Sequence, residues 1–336
     1  MVTREKTKAI IKLLVRVVIT IILLLVLVSQ IDLRQVYEAL KKARLEYLVV
    51  VWIFSILSLL ILSLKLHFIL KKQQCPVPIR TIFRISAITA LYSMVMPGML
   101  STGVKWYILK QHTGKGSNVL SSMIYNQVTD IYFRILLGLF AIAFAFPAQY
   151  KKVPLICGIA AIFLIIIYIL LFNKHTGVKI NALMRYLLKP LPKIIYNPAK
   201  TILQQLQVFQ SAGLKFHLIV VAISVVVSLI SVFVYIYAAK AALIKIPVSG
   251  LIWQSSAIYI LGRLPISIAN CGVREWSLIG CMSIYNVDKS QTILMSVIIF
   301  TGAIIRAIIG AIYLLFKKTG NNKSLDTAKN ISEQDI

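Results

Sequence analysis

Long apolar runs alternate with short polar, mostly basic segments along the whole chain. Ile10–Val28, Tyr47–Leu70, Val153–Phe172, Phe216–Ala239 and Ile293–Phe316 are apolar almost throughout. Each approaches or exceeds the roughly 20 residues that a helix needs to cross the hydrocarbon of a bilayer. A sixth run, Asn118–Phe146, has the length but carries polar residues through its first half. These six runs predict full membrane spans. Two further apolar regions, Thr81–Leu109 and Leu251–Tyr285, are interrupted midway, the first at Pro97-Gly98 and the second at Pro265 and Gly272. Proline removes a backbone donor and glycine loosens the helix. Irregular backbone survives at membrane depth only where protein or a wet cavity covers it. Both regions are therefore expected to form broken hairpins that enter and leave on one side. The expected fold class is all-α, a polytopic transmembrane helix bundle of about six spans and two re-entrant hairpins, forming one domain over residues 1–316. Residues 173–215 form a basic linker between its halves, and 317–336 a polar, disordered tail.

The two interrupted regions resemble each other. Pro97-Gly98-Met99-Leu100-Ser101-Thr102 leads into Gly103-Val104-Lys105-Trp106, and Pro265-Ile266-Ser267-Ile268-Ala269-Asn270-Cys271 leads into Gly272-Val273-Arg274-Glu275-Trp276. A proline followed by Gly-Val-basic and a tryptophan thus occurs twice. Loop charge orients the chain: Lys174, Lys179, Arg185, Lys189, Lys193, Lys200 and Lys215 lie in a linker that holds no acid. Such segments stay on the cytoplasmic side, where both termini are also expected, in a cell membrane. Counting spans from that anchor, the first hairpin opens to the cytoplasm and the second to the outside. That is the pattern of an inverted repeat, in which paired broken segments point to a transporter's substrate site. Leu33–Leu45 holds Arg34, Lys41, Lys42 and Arg44 on the outer side, offset by nearby acids, and reads as an interfacial helix.

Composition sharpens the class. Hydrophobic residues make up 59% of the chain and its mean hydropathy is +0.86, against about 45–50% apolar residues in soluble domains. The formal charge of +27 sits in loops between spans. It suits anionic lipid head groups better than nucleic acid, since no soluble segment is long enough for a nucleic-acid-binding domain. Cys75, Cys157, Cys271 and Cys281 form no C-x-x-C pair and read as apolar fillers rather than metal ligands. Arg4, Lys6 and Lys8 precede the first run, but no small-x-small cleavage pattern follows Val28, so an uncleaved span is expected.

Of ten acids only Asp130 and Glu275 fall within the apolar regions, where an ionisable side chain costs about 2.5–3.5 kcal/mol on insertion scales and is by default functional. Asp130 has Arg134 one turn later, a spacing that permits an ion pair; such a pair could also serve only to lock helices together. Arg306, near the centre of the last run, needs a partner, and Glu275 is the candidate. Arg263 stands just before Pro265. Three arginines (Arg263, Arg274, Arg306) against one carboxylate would leave positive charge in the interior, which suits a phosphate held by paired guanidinium donors. Lys65, His67, Arg84 and Arg16 lie near span ends and are expected to snorkel, an alternative that also applies to Arg263. Tyr92, Ser93, Ser101, Thr102, Asn126, Gln127 and Asn270 could bond a head group or satisfy freed backbone. There is no G-x-S-x-G, no H-E-x-x-H and no phosphate-cradling glycine loop, and neither catalytic residues nor a cofactor are expected.

At Leu264–Leu278, LPISIANCGVREWSL resembles the lysylphosphatidylglycerol synthase transmembrane, or flippase-like, family, whose P-x-S-x-x-x-x-G-V-R-E stretch is matched by Pro265, Ser267, Gly272, Val273, Arg274 and Glu275. Upstream, MPGMLSTGVKWYILKQHTGKGSNVLSSMIYNQVTD is similar to the family's other segment through Pro97, Gly98, Lys105, Gly114 and Lys115. Two departures stand out: Ser101, Thr102 and Gly103 replace the family's small glycines and acid, and Asn126-Gln127 replaces an acid–arginine pair. The soluble aminoacyl-transfer domain of bifunctional members is not expected, because the last span ends near Phe316, so neither is lysyl-lipid synthesis. The resemblance implies the flippase half, moving an anionic, aminoacylated or glycosylated lipid between leaflets. Arg274, Arg306 and Lys105 are expected to face its phosphate, with Glu275 positioning the arginines. The alternative is a non-catalytic scaffold for a glycosyltransferase or another lipid-modifying enzyme.

Overall fold

The computed structural model describes residues 43–95, 98–145, 152–173, 193–263 and 270–332, with isolated positions at 41 and between 176 and 189. The expected span Ile10–Val28, the breakers Pro97 and Pro265, and nearly all of the interfacial helix Leu33–Leu45 lie outside them. The described elements are all helices: α1 (Glu46–Lys72), α2 (Ile79–Val95), α3 (Gly98–Thr113), α4 (Gly116–Ala145), α5 (Lys152–Phe172), α6 (Lys193–Gln210), α7 (Leu214–Ala241), α8 (Val248–Leu261), α9 (Val273–Ser283) and α10 (Lys289–Ser332). Five are long and apolar enough to cross a bilayer, α1, α4, α5, α7 and α10 up to Leu315. They coincide with five of the six expected spans. Their outward faces are apolar, as lipid requires. On α5, Leu155, Ile159 and Phe163 are at least 60% exposed. α10 runs on past the last expected span, to Ser332. No proline interrupts it, and propagating an existing helix costs little once it is nucleated.

The described helices fall into two matching units, α1–α4 and α7–α10, joined by α5 and the amphipathic α6. The equivalence reaches backbone detail. α1 and α7 both end in a Schellman turn, with Gln74 and Leu243 in the left-handed region at φ 55° and 57°. In the first, Cys75 N–H donates to Leu70 O at 3.0 Å; in the second, Ile244 N–H donates to Ala239 O at 2.9 Å. Pro78 and Pro247 then precede α2 and α8. These turns, the prolines and the glycines Gly103 and Gly272 are all separated by the same number of residues. Packing repeats as well: α2 lies along α10 just as α8 lies along α4.

The units are inverted with respect to each other. α1 and α7 pack antiparallel: Arg44 N–H donates to Ala241 O at 3.1 Å, while Phe68 near the other end of α1 stacks on Phe216 at the start of α7, with centroids 5.2 Å apart. Both ends of the α2–α3 hairpin return to the C-terminal end of α1, where Lys115 Nζ reaches Gln74 O at 3.2 Å and Asn118 Nδ2 reaches Gln73 Oε1 at 3.3 Å. Both ends of the α8–α9 region return to the opposite end of the bundle, where Trp253 Nε1 donates to Tyr285 Oη at 2.9 Å. The first hairpin therefore opens at the end that carries Lys71, Lys72 and α6, here called the basic face, and the second opens at the other. Gln73 Nε2 donates to Gln205 O at 2.7 Å and Phe209 stacks on Tyr125, which fixes α6 against that face.

Glycines let the helices approach. A Cβ on Gly138 would lie 3.1 Å from Ser256 Cβ, where α4 crosses α8, and one on Gly310 would overlap the backbone of Ala87, where α10 crosses α2. Small residues at such crossings are how helices pack without a hydrophobic driving force. Gly310→Ala should therefore lower the thermal midpoint of the detergent-purified protein, with overpacking costing about 1–3 kcal/mol. Gly158→Ala, which meets nothing within 4 Å, should leave the midpoint unchanged; equal midpoints would contradict this packing.

Candidate functional site

The described end of the second break, from Asn270 into α9, is held by its own side chains together with α10. Gly272, at φ 80°, and Asn270, at φ 58°, turn the chain into α9. A glycine meets the left-handed requirement without steric cost. Glu275, in the first turn of α9, accepts the Gly272 N–H on Oε2 at 2.7 Å, so it closes the helix end that would otherwise expose free N–H groups. Its Oε1 accepts from Ser296 Oγ at 2.8 Å and from the Arg274 guanidinium. Arg274 also donates to Ser296 Oγ at 2.8 Å and lies 4.7 Å over the Phe300 ring. The Gly-Val-Arg-Glu motif thus has a local logic: the glycine turns, the glutamate caps, and the arginine neutralises the cap.

This corrects the expected pairing of Glu275 with Arg306. The carboxylate is already occupied by Gly272, Arg274 and Ser296. Ser296 lies ten residues before Arg306 on α10, or about 15 Å along the axis, so α9 meets α10 well away from that arginine. Arg306 is half-buried, donates from Nε to Gly302 O at 3.2 Å, and forms no ion pair among the described residues.

A second correction concerns Asp130. Its partner is not Arg134 but Lys65, which was expected to snorkel to a head group. Lys65 is fully buried, and its Nζ lies 2.6 Å from Asp130 Oδ1 and 2.9 Å from Thr129 Oγ1. α1 is pressed against α4 at this level, so the ammonium meets the carboxylate instead of water. Arg134, itself 5% exposed, turns away to donate to Ser231 Oγ on α7 at 2.8 Å and lies 3.7 Å over the ring of Tyr259 on α8. Arg263, at the end of α8, lies 4.6 Å over the same ring and donates to its hydroxyl. One tyrosine is thus held by two guanidinium groups from different helices. Lys105 on α3, half-buried, is within electrostatic reach of both Arg263 and Asp130.

The structure therefore sorts the expected site residues other than Arg306 into two groups. Lys105, Asp130, Arg134 and Arg263 gather where the two hairpins meet α4, joined by Lys65 and Tyr259. Arg274 and Glu275 form a self-neutralised pair at the start of α9. In the first group four cations face one carboxylate, and Lys65 already satisfies that carboxylate. Among the described residues Lys105, Arg134 and Arg263 have no carboxylate partner. Gly98 begins α3, beside the undescribed Pro97. No three His, Cys, Asp or Glu side chains converge among the described residues.

Sequence reasoning missed Lys65 and Tyr259 as partners, which no local spacing marks, whereas a repeated spacing does mark Arg134 and Arg306. Arg134 precedes Gly138 by four residues, and Arg306 precedes Gly310 by four. This Arg-x-x-x-Gly spacing, repeated in equivalent spans, places one arginine of each unit a turn before the glycine that admits the partner hairpin.

The family model described as the lysylphosphatidylglycerol synthase TM region matches residues 13–310. No curated protein and no solved structure matches the chain.

The sealed pair supplies a test by thermal unfolding in detergent. Lys65→Met and Asp130→Leu should each destabilise the protein by about 3–5 kcal/mol, because each strands a buried charge, while the double substitution should cost much less than the sum. Additive losses would show that the two side chains do not compensate each other.

Proposed function

We propose that this chain, which belongs to the lysylphosphatidylglycerol synthase TM region family, moves a lipid with an anionic head group between leaflets, and that Lys105, Arg134 and Arg263 hold its phosphate midway. The family ties the chain to membrane lipids. One observation carries the finer reading: two guanidinium groups, buried Arg134 and exposed Arg263, meet on the ring of Tyr259 with Lys105 within electrostatic reach of Arg263, and among the described residues none of the three has a carboxylate partner. Uncompensated charge in that setting is costly, and a phosphate supplies the missing negative charge through paired guanidinium donors. The inverted units add support, because rocking one such unit against the other exposes a central site to each side in turn. Arg274 and Glu275 keep the second break folded and oriented in this reading and do not touch the phosphate. The basic face would be cytoplasmic by its charge, and the membrane would be the cell membrane.

A scaffold for a glycosyltransferase or another lipid-modifying enzyme is the rival reading, and it needs no central cations. Protein reconstituted into phosphatidylcholine vesicles with a trace of head-group-labelled phosphatidylglycerol should move that lipid faster than protein-free vesicles. Arg134→Gln and Arg263→Gln should each slow it about tenfold or more, the value of a charge-assisted hydrogen bond. Transport no faster than in empty vesicles would remove the translocator reading. Full transport by the double variant would remove the site.

A further inference from the structure

We propose that the cleft between α1, α2 and α10 at the basic face is a binding site for an anionic phospholipid, separate from the central cluster. In this site the phosphate sits on Arg80 and Arg84, and an acyl chain lies along Ile56, Leu60 and Phe83. The cleft encloses about 470 Å³ and is lined by Ile56 and Leu60 of α1, by Ile79, Arg80, Thr81, Phe83 and Arg84 of α2, and by Tyr313 of α10.

Three observations point to a lipid. The first is the wall: Leu60 is 44% exposed and Tyr313 36% exposed, and both belong to membrane spans, so the cleft opens toward hydrocarbon. An apolar hollow of this size beside acyl chains is filled by one of them, since water would find few polar partners there. The second is the charge. Arg80 and Arg84 are four residues apart in the first two turns of α2, on one side of the helix, where like charges repel. No acidic residue lines the cleft, and among the described residues neither arginine has a carboxylate partner. An anion bridging the two guanidinium groups relieves that repulsion, and phosphate has the matching geometry. The third is depth. α2 starts at Ile79, directly after the turn that carries Lys71 and Lys72 to the basic face, so Arg80 lies near head-group level, Phe83 and Arg84 about one turn deeper, and Leu60, twelve residues before Lys72 on α1, deeper still. Phe83 and Tyr313 meet edge-on at 6.4 Å and close the cleft on the α10 side.

The proposal stands whether or not the central cluster moves lipid, and the test is local to the cleft. Protein in phosphatidylcholine vesicles would receive a small fraction of phosphatidylglycerol bearing a photoreactive diazirine in one acyl chain. Adducts would be mapped by peptide mass spectrometry. Cross-links are expected on the segments 56–60 and 79–84 and at Tyr313. Arg80→Gln with Arg84→Gln should reduce them about tenfold while adducts on the lipid-facing side of α5 stay constant. Leu60→Trp, which fills the cleft and keeps both arginines, should reduce them too, so a fold defect in the first variant leaves the question decidable. Labelling equally strong with a diazirine phosphatidylcholine, labelling insensitive to both variants, or no adducts in the cleft would each overturn the site.

Discussion

A helix that stops inside a bilayer leaves backbone N–H and C=O groups that hydrocarbon cannot satisfy, and this chain stops helices there in both of its units. At the second break the Glu275 carboxylate takes up the Gly272 N–H. That carboxylate could not stand alone at such depth, so it holds Arg274 and Ser296. The helices beside each break pack against the other unit. α10 lies along the first hairpin and α4 along the second, and the glycines at those crossings let the backbones close up. The crossed packing of the two units and the capping by Glu275 both answer one requirement, that a helix end at such depth be given partners.

Charge in the interior then divides by whether its compensation is built in. Lys65 with Asp130 and Arg274 with Glu275 are complete pairs. A buried pair adds little net stability, yet removing one partner is severe, so such pairs fix which helices lie together more than how tightly. Arg134 and Arg263 are held differently, by an aromatic face and hydroxyl groups. Those contacts orient a guanidinium without cancelling its charge. A protein seeking only stability would gain from a carboxylate there.

Spans, breaks and the all-helical class were legible because each is written in contiguous residues: an apolar run long enough to cross, or a proline and glycine that interrupt one. The Gly-Val-Arg-Glu motif was legible for the same reason, since its glycine, arginine and glutamate meet one another within one turn, although its contacts with Ser296 and Phe300 of α10 were not. Partner assignments were not. Spacing along a helix tells which residues share a face but not which neighbour that face meets. Asp130 and Arg134 share a face, and the neighbouring helices then claim them separately, α1 for the first and α7 with α8 for the second. Lys65 looked like a snorkelling lysine because its distance from the span end was visible and the pressure of α4 on that side was not. Arg306 and Glu275 were matched by elimination, and the helical rise between Ser296 and Arg306 defeats the match.

Arg134 and Arg306 stand in equivalent spans with the same spacing to a packing glycine, yet their surroundings differ. Arg134 is clasped between Ser231 and Tyr259 and almost sealed. Among the described residues Arg306 bonds the carbonyl one turn back on its own helix, and it remains half-open. Part of the difference is chemical, because Ala90 occupies on α2 the place that Tyr259 holds on α8, three residues beyond the crossing in each case. Two inverted units of unlike sequence have no reason to be equally closed at once. If lipid passes by rocking one unit against the other, the sealed arginine and the open one mark which side is shut in this state. The reverse state would loosen the crossing at Gly138 and tighten around Arg306.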